Sequence, residues 1–202
     1  VLFPIGELEK SEVRKIAEDY DLITASKKDS TGICFIGERN FKNFLKNYLP
    51  NQSGQIINIQ TGEVVGEHIG LMYYTIGQRR GLDVGGTDSR MFVVGKNLEK
   101  NILYVSLGDN NDYLLSNSCI LDTINFNTCD RPTKCSAKFR YRAPDYPVTL
   151  EYLSDGQILV RYDNVKAVTP GQACVFYDGD KCIGGGIIKT VCKNDEKIWY
   201  IL

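Results

Sequence analysis

Cys34 is the residue whose chemistry would most change what this 202-residue chain can do. It lies in the short apolar run of residues 33–36, directly after a group of turn-forming residues. A thiolate in such a position is a strong nucleophile if it is accessible and if nearby cations lower its pKa. Lys27, Lys28 and Arg39 are candidates for that role, whereas Asp29 would oppose it. The same spacing also fits an inert core residue, because free cysteine is among the residue types most often buried.

A basic segment in which cations alternate with aromatic residues is a second candidate site. Successive side chains of a strand point to opposite faces, so Lys138, Arg140 and Arg142 would share one face. Phe139 and Tyr141 would share the other face. Such cations can contact successive phosphates, while an aromatic ring can stack on a base. The segment also fits an ordinary solvated face of a sheet.

Arg79 and Arg80 form a further basic pair in a loop-like segment, and they fit either a nucleic-acid contact or a solvated loop. The formal net charge of the whole chain is only −1. Any nucleic-acid binding must therefore come from local patches and shape rather than from global charge.

The spacing of the other cysteines and the presence of a single histidine give no metal-binding pattern, so we expect no metal site in this chain. Seven cysteines without CxxC spacing argue against both a disulfide framework and a zinc site, and they favour a reducing, cytoplasmic environment. We expect the six cysteines other than Cys34 to be structural or incidental. His68 is the only histidine, and a polar role in a β domain is favoured over a partnership with Cys34.

Composition is that of a soluble globular protein. The chain is 43% hydrophobic and 24% charged, and its length suits one large or two small domains. No apolar run approaches membrane-spanning length, and nothing at the N-terminus resembles a signal peptide. We therefore expect no membrane partner.

Two amphipathic helices are predicted on either side of Cys34. The first has Ser11 as its expected N-cap and a spacing of i, i+3, i+4 and i+7 for its apolar residues, which are Val13, Ile16, Ala17 and Tyr20. The second covers about residues 41–48 and is stopped by Pro50. Cys34 would therefore lie on a connecting strand or loop, where a rigid scaffold can present a reactive group.

The rest of the sequence has the period of β-structure. A hairpin is predicted over residues 55–66 around the Thr61-Gly62 turn, with further strands at 90–94 and 102–106. Six more short strands follow, which favours a closed or nearly closed β-barrel. They are predicted at residues 137–141, 148–153, 157–162, 173–177, 181–189 and 198–202. The predicted fold class is thus mainly β with an N-terminal α segment, a small β domain and a C-terminal β-barrel.

Five segments resemble bacterial tRNA-specific 2-thiouridylases, and they occur in the order of that family along nearly the whole chain. They are FPIGELEK (3–10), DSTGICFIGER (29–39), GEHIGLMYYTIGQRRGL (66–82), AVTPGQ (167–172) and GGGII (184–188). The family has a C-terminal β-barrel, which agrees with the strand pattern. It also has an N-terminal nucleotide-binding domain with an Ser-Gly-Gly-Val-Asp-Ser-type phosphate loop, and no such loop occurs in this chain.

The resemblance implies a three-part organisation of a C-terminal fragment. Residues 1–51 would be the remnant of the catalytic nucleotide-binding domain and carry the cysteine loop. Residues 52–116 would be a small central β domain, and residues 117–202 a tRNA-docking barrel. The Mg-bound ATP of the family would be held by the part that is missing, and the fragment alone would not complete a turnover.

The resemblance also implies roles for particular residues. Cys34 would receive a persulfide from a sulfur-relay protein or a cysteine desulfurase. After adenylation of the C2 oxygen by the missing domain, that sulfur would convert the wobble uridine of the lysine, glutamate and glutamine tRNAs to 2-thiouridine. A second cysteine of the missing domain would then form a disulfide with Cys34. Arg140, Tyr141 and Gln172 match residues that touch tRNA in the family. For Arg140 and Tyr141 to reach one ligand, the following Ala143-Pro144 would have to end or twist the strand.

Two other functions fit the residues as well. One is a non-catalytic RNA-binding barrel in which Cys34 is merely structural. The other is a thiol redox sensor in which Cys34 pairs with one of the other six cysteines. Replacement of Cys34 by serine separates the three, because only the enzyme would lose thiolation while keeping its tRNA binding.

Overall fold

The structure is a computed structural model, and it describes residues 2–28, 48–49, 51–82, 84, 90–108, 111–141 and 143–201. The chain forms two compact units, Val1–Leu49 and Pro50–Leu202. The predicted second helix and the cysteine loop, including Cys34 and Arg39, lie outside the described residues. The predicted division at residues 51 and 116 stays a prediction.

The first unit contains one described helix, α1 (Lys10–Asp19), in the region where the apolar spacing predicts it. Its N-cap is Glu9, so the prediction of Ser11 was wrong. The Glu9 backbone N–H donates to the Glu12 carboxylate at 2.8 Å, which gives a backbone donor outside the helix a partner. No residue of α1 is buried, and Ile16 is 42% exposed.

A four-stranded sheet begins the second unit, with the strand order β2-β1-β4-β3. Its strands are β1 (Gly54–Asn58), β2 (Val64–His68), β3 (Met91–Asn97) and β4 (Ile102–Leu107). The predicted hairpin is confirmed, because β1 and β2 pair antiparallel around a turn in which Gly62 has a φ of +76°. A 3-10 turn over Leu71–Tyr73 follows β2. The core of the sheet is fully buried and apolar; its members include Ile56, Val93, Leu103 and Val105.

The β-barrel is a closed ring of six strands, and this confirms the predicted fold class. A 3-10 turn over Asp112–Leu114 precedes it. The ring runs in the order β10-β5-β8-β7-β6-β9 and closes because β9 pairs with β10. Its strands are β5 (Leu115–Phe126), β6 (Lys134–Lys138), β7 (Tyr146–Tyr152), β8 (Ile158–Lys166), β9 (Ala173–Asp178) and β10 (Lys181–Lys193). A two-residue strand, β11 (Glu196–Lys197), pairs with the end of β10.

The interior of the barrel is filled by side chains rather than by a ligand channel. Phe139 is 2% exposed, and its ring lies 4.6 Å from that of Tyr162, centroid to centroid. Phe176 and Leu121 are fully buried as well. Such packing makes the barrel a rigid support for whatever its rim presents.

Three consecutive glycines let β10 lie against its neighbours. A Cβ at Gly185 would collide with the Cys174 carbonyl on β9, and one at Gly186 would lie 2.8 Å from the Asp122 carbonyl on β5. Gly184 has a φ of +156° and lies close to the backbone of Phe126. The Gly184-Gly185-Gly186 run therefore serves strand packing in the barrel.

The last predicted strand was wrong, and one long strand was missed. Residues 198–201 are not a strand; instead the Lys96 N–H on β3 donates to the Tyr200 carbonyl at 2.9 Å. The chain end thus covers part of the free edge of β3. The missed strand is β5, in which the polar residues Ser116 and Ser118 are buried.

Candidate nucleic-acid interface

An open cleft of about 740 Å³ lies on the barrel where the pairing of β6 with β9 ends. The last pair of this ladder is Lys138 with Val175, and beyond it the two chain segments separate. The cleft takes lining residues from both of them. They are Lys138, Phe139, Arg140 and Tyr141 on one side and Gln172, Ala173, Val175 and Tyr177 on the other. Its size is in the range of small-molecule and nucleotide sites.

Arg140 lines this cleft, and its side chain is half-buried rather than fully exposed. Its Nη2 donates to the Ile76 carbonyl at 3.0 Å and to the Thr169 hydroxyl at 3.1 Å. Burial lowers the pKa of Arg140. Its buried Nε–H has no hydrogen-bond partner among the described residues. Arg140 therefore ties the loop after β2 to the barrel, and its Nε–H remains unused.

Gln172 is held at the opposite wall by its backbone. Its N–H donates to the Thr169 carbonyl at 3.3 Å, and its carbonyl accepts from the Ile188 N–H at 2.8 Å. Gly171 just before it has a φ of +83°, which glycine adopts without strain. The Gln172 Oε1 is buried and has no donor partner among the described residues. Two residues that line the cleft, Arg140 and Gln172, thus each have a buried polar atom without a hydrogen-bond partner among the described residues.

Tyr141 and Lys138 complete the lining with an aromatic face and a cation. Tyr141 is 91% exposed, so its ring can be covered by a ligand at little structural cost. The Lys138 Nζ lies 3.7 Å from the Asp145 carboxylate and 5.5 Å from the centre of the Tyr177 ring. The charge of Lys138 is therefore partly compensated. A donor, an acceptor, a ring face and a cation are the groups by which proteins hold unstacked nucleotides.

The alternation predicted for residues 136–142 does not continue through a regular strand. β6 ends at Lys138, and the Ala143 N–H donates to the Arg140 carbonyl at 3.1 Å, which closes a turn before Pro144. Lys138 and Arg140 therefore do not form one solvated row of cations, as a continuous strand would require. Because the strand ends here, Arg140 and Tyr141 line the same cleft.

The other candidate residues lie elsewhere or outside the described part of the chain. Arg79 and Arg80 are exposed and do not line the cleft, although the Gln78 side chain braces their loop by donating to the Arg80 carbonyl at 2.8 Å. Arg142 and Cys34 are outside the described residues. The structure therefore brings together Lys138, Arg140, Tyr141 and Gln172.

Two residues that fix the geometry of the cleft were not predicted from the sequence. Thr169 accepts from Arg140 and donates to the Ala167 carbonyl at 2.9 Å, so its hydroxyl is used in both directions. Ile76 contributes only a carbonyl, which no side-chain pattern could have indicated. Both lie in segments that the family resemblance had singled out, 167–172 and 66–82.

His68 has a structural role. It is fully buried, its Nδ1 accepts from the Gly70 N–H at 3.1 Å, and its Nε2 lies 3.0 Å from the Asn101 carbonyl. These two contacts require the neutral ring with its proton on Nε2. Burial lowers the pKa of His68, and the nearby charge of Lys96 lowers it further.

The described cysteines differ widely in exposure. Cys119, Cys174 and Cys192 are buried, whereas Cys129 and Cys182 are exposed. Burial and the charge of Asp178 raise the pKa of Cys135 to about 11. Within residues 2–28, 48–49, 51–82 and the later described ranges, no group of three metal-ligating side chains comes together. No helix in that part of the chain is long and apolar enough to cross a membrane.

The described residues of the first unit do not fit a nucleotide. The N-terminus of α1, where a phosphate would be favoured, is already flanked by the carboxylates of Glu9 and Glu12. The glycine in the preceding turn, Gly6, packs against Phe3.

Three family models match successive parts of the chain. A tRNA methyl transferase HUP domain matches residues 1–38, and a tRNA methyl transferase PRC-barrel domain matches residues 42–107. An aminomethyltransferase beta-barrel domain matches residues 116–188, the region of the six-stranded ring.

Curated relatives match over the entire chain. It is 54% identical to the tRNA-specific 2-thiouridylase MnmA of Oceanobacillus iheyensis over 205 residues and 54% identical to that of Bacillus subtilis over 206 residues. Identity to the Listeria monocytogenes protein is 55% over 205 residues. In each case the match covers 100% of this chain and 55% of the relative, so the chain spans about half the length of the curated relatives it matches. Identity of this degree, maintained from end to end, shows that the chain belongs to the tRNA-specific 2-thiouridylase family.

Proposed function

We propose that this chain is the sulfur-carrying and tRNA-docking portion of an enzyme that converts the wobble uridine of tRNA to 2-thiouridine. Its relatives are named as tRNA-specific 2-thiouridylases, which supports a transferase acting on tRNA. The single observation that carries the docking role is the cleft in which Lys138, Arg140, Tyr141 and Gln172 meet. Its unused Arg140 donor and Gln172 acceptor are buried, so a ligand that pairs with both would remove two unsatisfied polar groups.

A nucleotide of single-stranded or loop RNA suits these groups. The edge of a base carries donors and acceptors side by side, which the Arg140 Nε–H and the Gln172 Oε1 can meet. The exposed ring of Tyr141 offers a stacking surface, and Lys138 can approach a phosphate if it moves away from Asp145. Arg79 and Arg80 remain candidates for a separate backbone contact, as does Arg142.

Sulfur would be carried by Cys34. Its thiolate attacks the terminal sulfur of a donor persulfide, the donor S–S bond breaks, and the donor leaves as a thiolate. Cys34 then holds a persulfide, with no net change in oxidation state. The outer sulfur of that persulfide attacks C2 of the adenylated uridine, the C2–O bond breaks and AMP leaves. A second thiol attacks the Cys34 Sγ and breaks the persulfide S–S bond, and the product is a disulfide that a two-electron reductant later opens.

Activation of the uridine and completion of the thiolation would need the whole enzyme. The activation of the C2 oxygen would use Mg-bound ATP, held by the part of the whole enzyme that carries the nucleotide-binding loop. The substrates would be the lysine, glutamate and glutamine tRNAs, and the sulfur donor a relay protein or a cysteine desulfurase in the cytoplasm. The chain by itself would bind tRNA and accept sulfur but would not complete thiolation.

Fluorescence anisotropy with a labelled, unmodified tRNA transcript tests the docking role. Tyr141→Ala removes the stacking surface and is expected to weaken binding about fivefold to a hundredfold, whereas Tyr141→Phe keeps the ring and should bind nearly as well as the wild type. Gln172→Met removes the buried acceptor with little change in volume and should also weaken binding. Wild-type affinity in both Tyr141→Ala and Gln172→Met would refute tRNA docking in this cleft.

A further inference from the structure

A second cation lines a separate cavity on the other side of the wall that Arg140 supports. Lys96 lies on β3, and its half-buried side chain lines a cavity of about 240 Å³ together with Thr75, Ile76 and Thr169. Ile76 and Thr169 are the two residues whose oxygens accept from the Arg140 guanidinium. The Lys96 cavity and the Arg140 cleft therefore share a wall. This wall joins the small sheet to the barrel.

Lys96 has no partner for its charge within the described part of the chain. No carboxylate there lies within ion-pair distance of its ammonium, and its Nζ makes no hydrogen bond. Burial lowers the pKa of Lys96, and no neighbouring carboxylate offsets this effect. A half-buried ammonium without a counter-charge is costly to the fold, and an anion that enters the cavity removes that cost.

The backbone around Lys96 holds the cavity in place. The Lys96 N–H donates to the Tyr200 carbonyl at 2.9 Å, and a Cβ at Gly95 would collide with that carbonyl. The side chain also lines a second cavity of about 280 Å³, next to Gln52 and Asn101. Lys96 thus supplies the cation to two cavities that also have apolar lining residues.

We propose that the Lys96 cavity is a phosphate site, and that the phosphate is a backbone group of the RNA whose neighbouring nucleotide occupies the Arg140 cleft. This inference rests on the proposed function for the identity of its ligand. The ammonium of Lys96 supplies the charge, and the Thr75 hydroxyl, which makes no hydrogen bond among the described residues, supplies a further donor. The shared wall places the two sites next to each other, as a continuous strand of RNA requires.

The salt dependence of tRNA binding by the 202-residue chain tests this site. Lys96→Met keeps the length of the side chain and removes its charge. It should weaken binding roughly tenfold at low salt, which is the effect of losing one charge-assisted hydrogen bond. It should also reduce the slope of log affinity against log salt by about 0.7 to 0.9, the contribution of one phosphate. Lys100→Met is the matched control, because Lys100 is an exposed lysine near the end of β3 and its loss changes the net charge equally.

A titration with inorganic phosphate separates the possible sources of the ligand. The NMR signal of the Lys96 ammonium, assigned by its absence in Lys96→Met, should shift saturably as phosphate is added. If phosphate saturates the site while Lys96→Met binds tRNA as Lys100→Met does, the assignment to RNA is overturned. If phosphate does not shift the Lys96 signal and Lys96→Met binds tRNA as Lys100→Met does, the proposal of a phosphate site at Lys96 is overturned.

Two further results distinguish failure of this inference from failure of the proposed function. Lys96→Met should melt at or above the wild-type temperature, because an uncompensated charge is removed; a clear decrease would show that the ammonium serves the fold and would contradict the proposal. If Lys96→Met weakens tRNA binding but Tyr141→Ala and Gln172→Met do not, the phosphate site stands and the cleft assignment fails.

Discussion

Replacement of Arg140 by methionine should destabilise the unit Pro50–Leu202. The guanidinium makes two hydrogen bonds, at 3.0 Å to the Ile76 carbonyl and at 3.1 Å to the Thr169 hydroxyl. A hydrogen bond to a charged group contributes about 1.5–3 kcal/mol, and partial exposure of Arg140 favours the lower end. We expect a loss of about 2–4 kcal/mol in the free energy of unfolding, since methionine conserves the apolar stem but no donor.

Thermal and denaturant unfolding measure this loss. For a unit of this size, 1 kcal/mol corresponds to about 2–4 °C, so the midpoint should fall by roughly 5–15 °C. Thr169→Val removes one of the two acceptors of Arg140 and also the hydrogen bond to the Ala167 carbonyl, so it should lower the midpoint as well. Tyr141→Ala should leave the midpoint unchanged, because that side chain is 91% exposed. An Arg140→Met variant that melts with the wild type would refute the bridging role of Arg140.

Three further predictions concern the rest of the fold. The pKa of His68 in the folded protein is below its unfolded value of 6.5. The contribution of the neutral ring to stability is therefore complete above about pH 6.5 and is lost as pH falls toward the folded pKa. His68→Gln should remove this pH dependence from the free energy of unfolding measured in urea. Gly185→Ala places a Cβ against the backbone of β9 and should lower the free energy of unfolding by about 1–3 kcal/mol or more in the same assay. An unchanged free energy would show that β9 and β10 can separate to admit the methyl group. Iodoacetamide at pH 8, followed by peptide mapping, should modify the exposed Cys129 well before Cys135, whose pKa is raised to about 11; equal rates would contradict the burial of Cys135.

The sequence predicted the strands whose two faces differ in polarity and whose ends carry turn residues. The hairpin around Gly62 and the sharp turns of the barrel are of this kind. β5 was missed because two of its buried residues, Ser116 and Ser118, are polar; the Ser116 hydroxyl lies 2.9 Å from the Tyr162 hydroxyl. Polar residues inside the barrel remove the alternation on which strand prediction depends.

The candidate site was less accessible to sequence reasoning than the fold. The alternation of charge and aromatic residues continues past Lys138, yet the strand ends there because a turn follows at Arg140. Gln172 could be named only through the resemblance to a family, since no periodicity marks a single amide. The partnership of Arg140 with Ile76 spans 64 residues and depends on a backbone carbonyl, so only the folded structure could reveal it.

Intact mass spectrometry can detect whether this chain carries sulfur on Cys34, as proposed. The chain is incubated with a cysteine desulfurase, cysteine and the sulfur-relay proteins, alongside a Cys34→Ser variant, and both are then mapped by peptide. The wild-type chain should gain one sulfur atom that maps to Cys34, and the variant should not. A folded chain that gains no sulfur at Cys34, or a variant that gains as much as the wild type, would contradict the proposed role of Cys34.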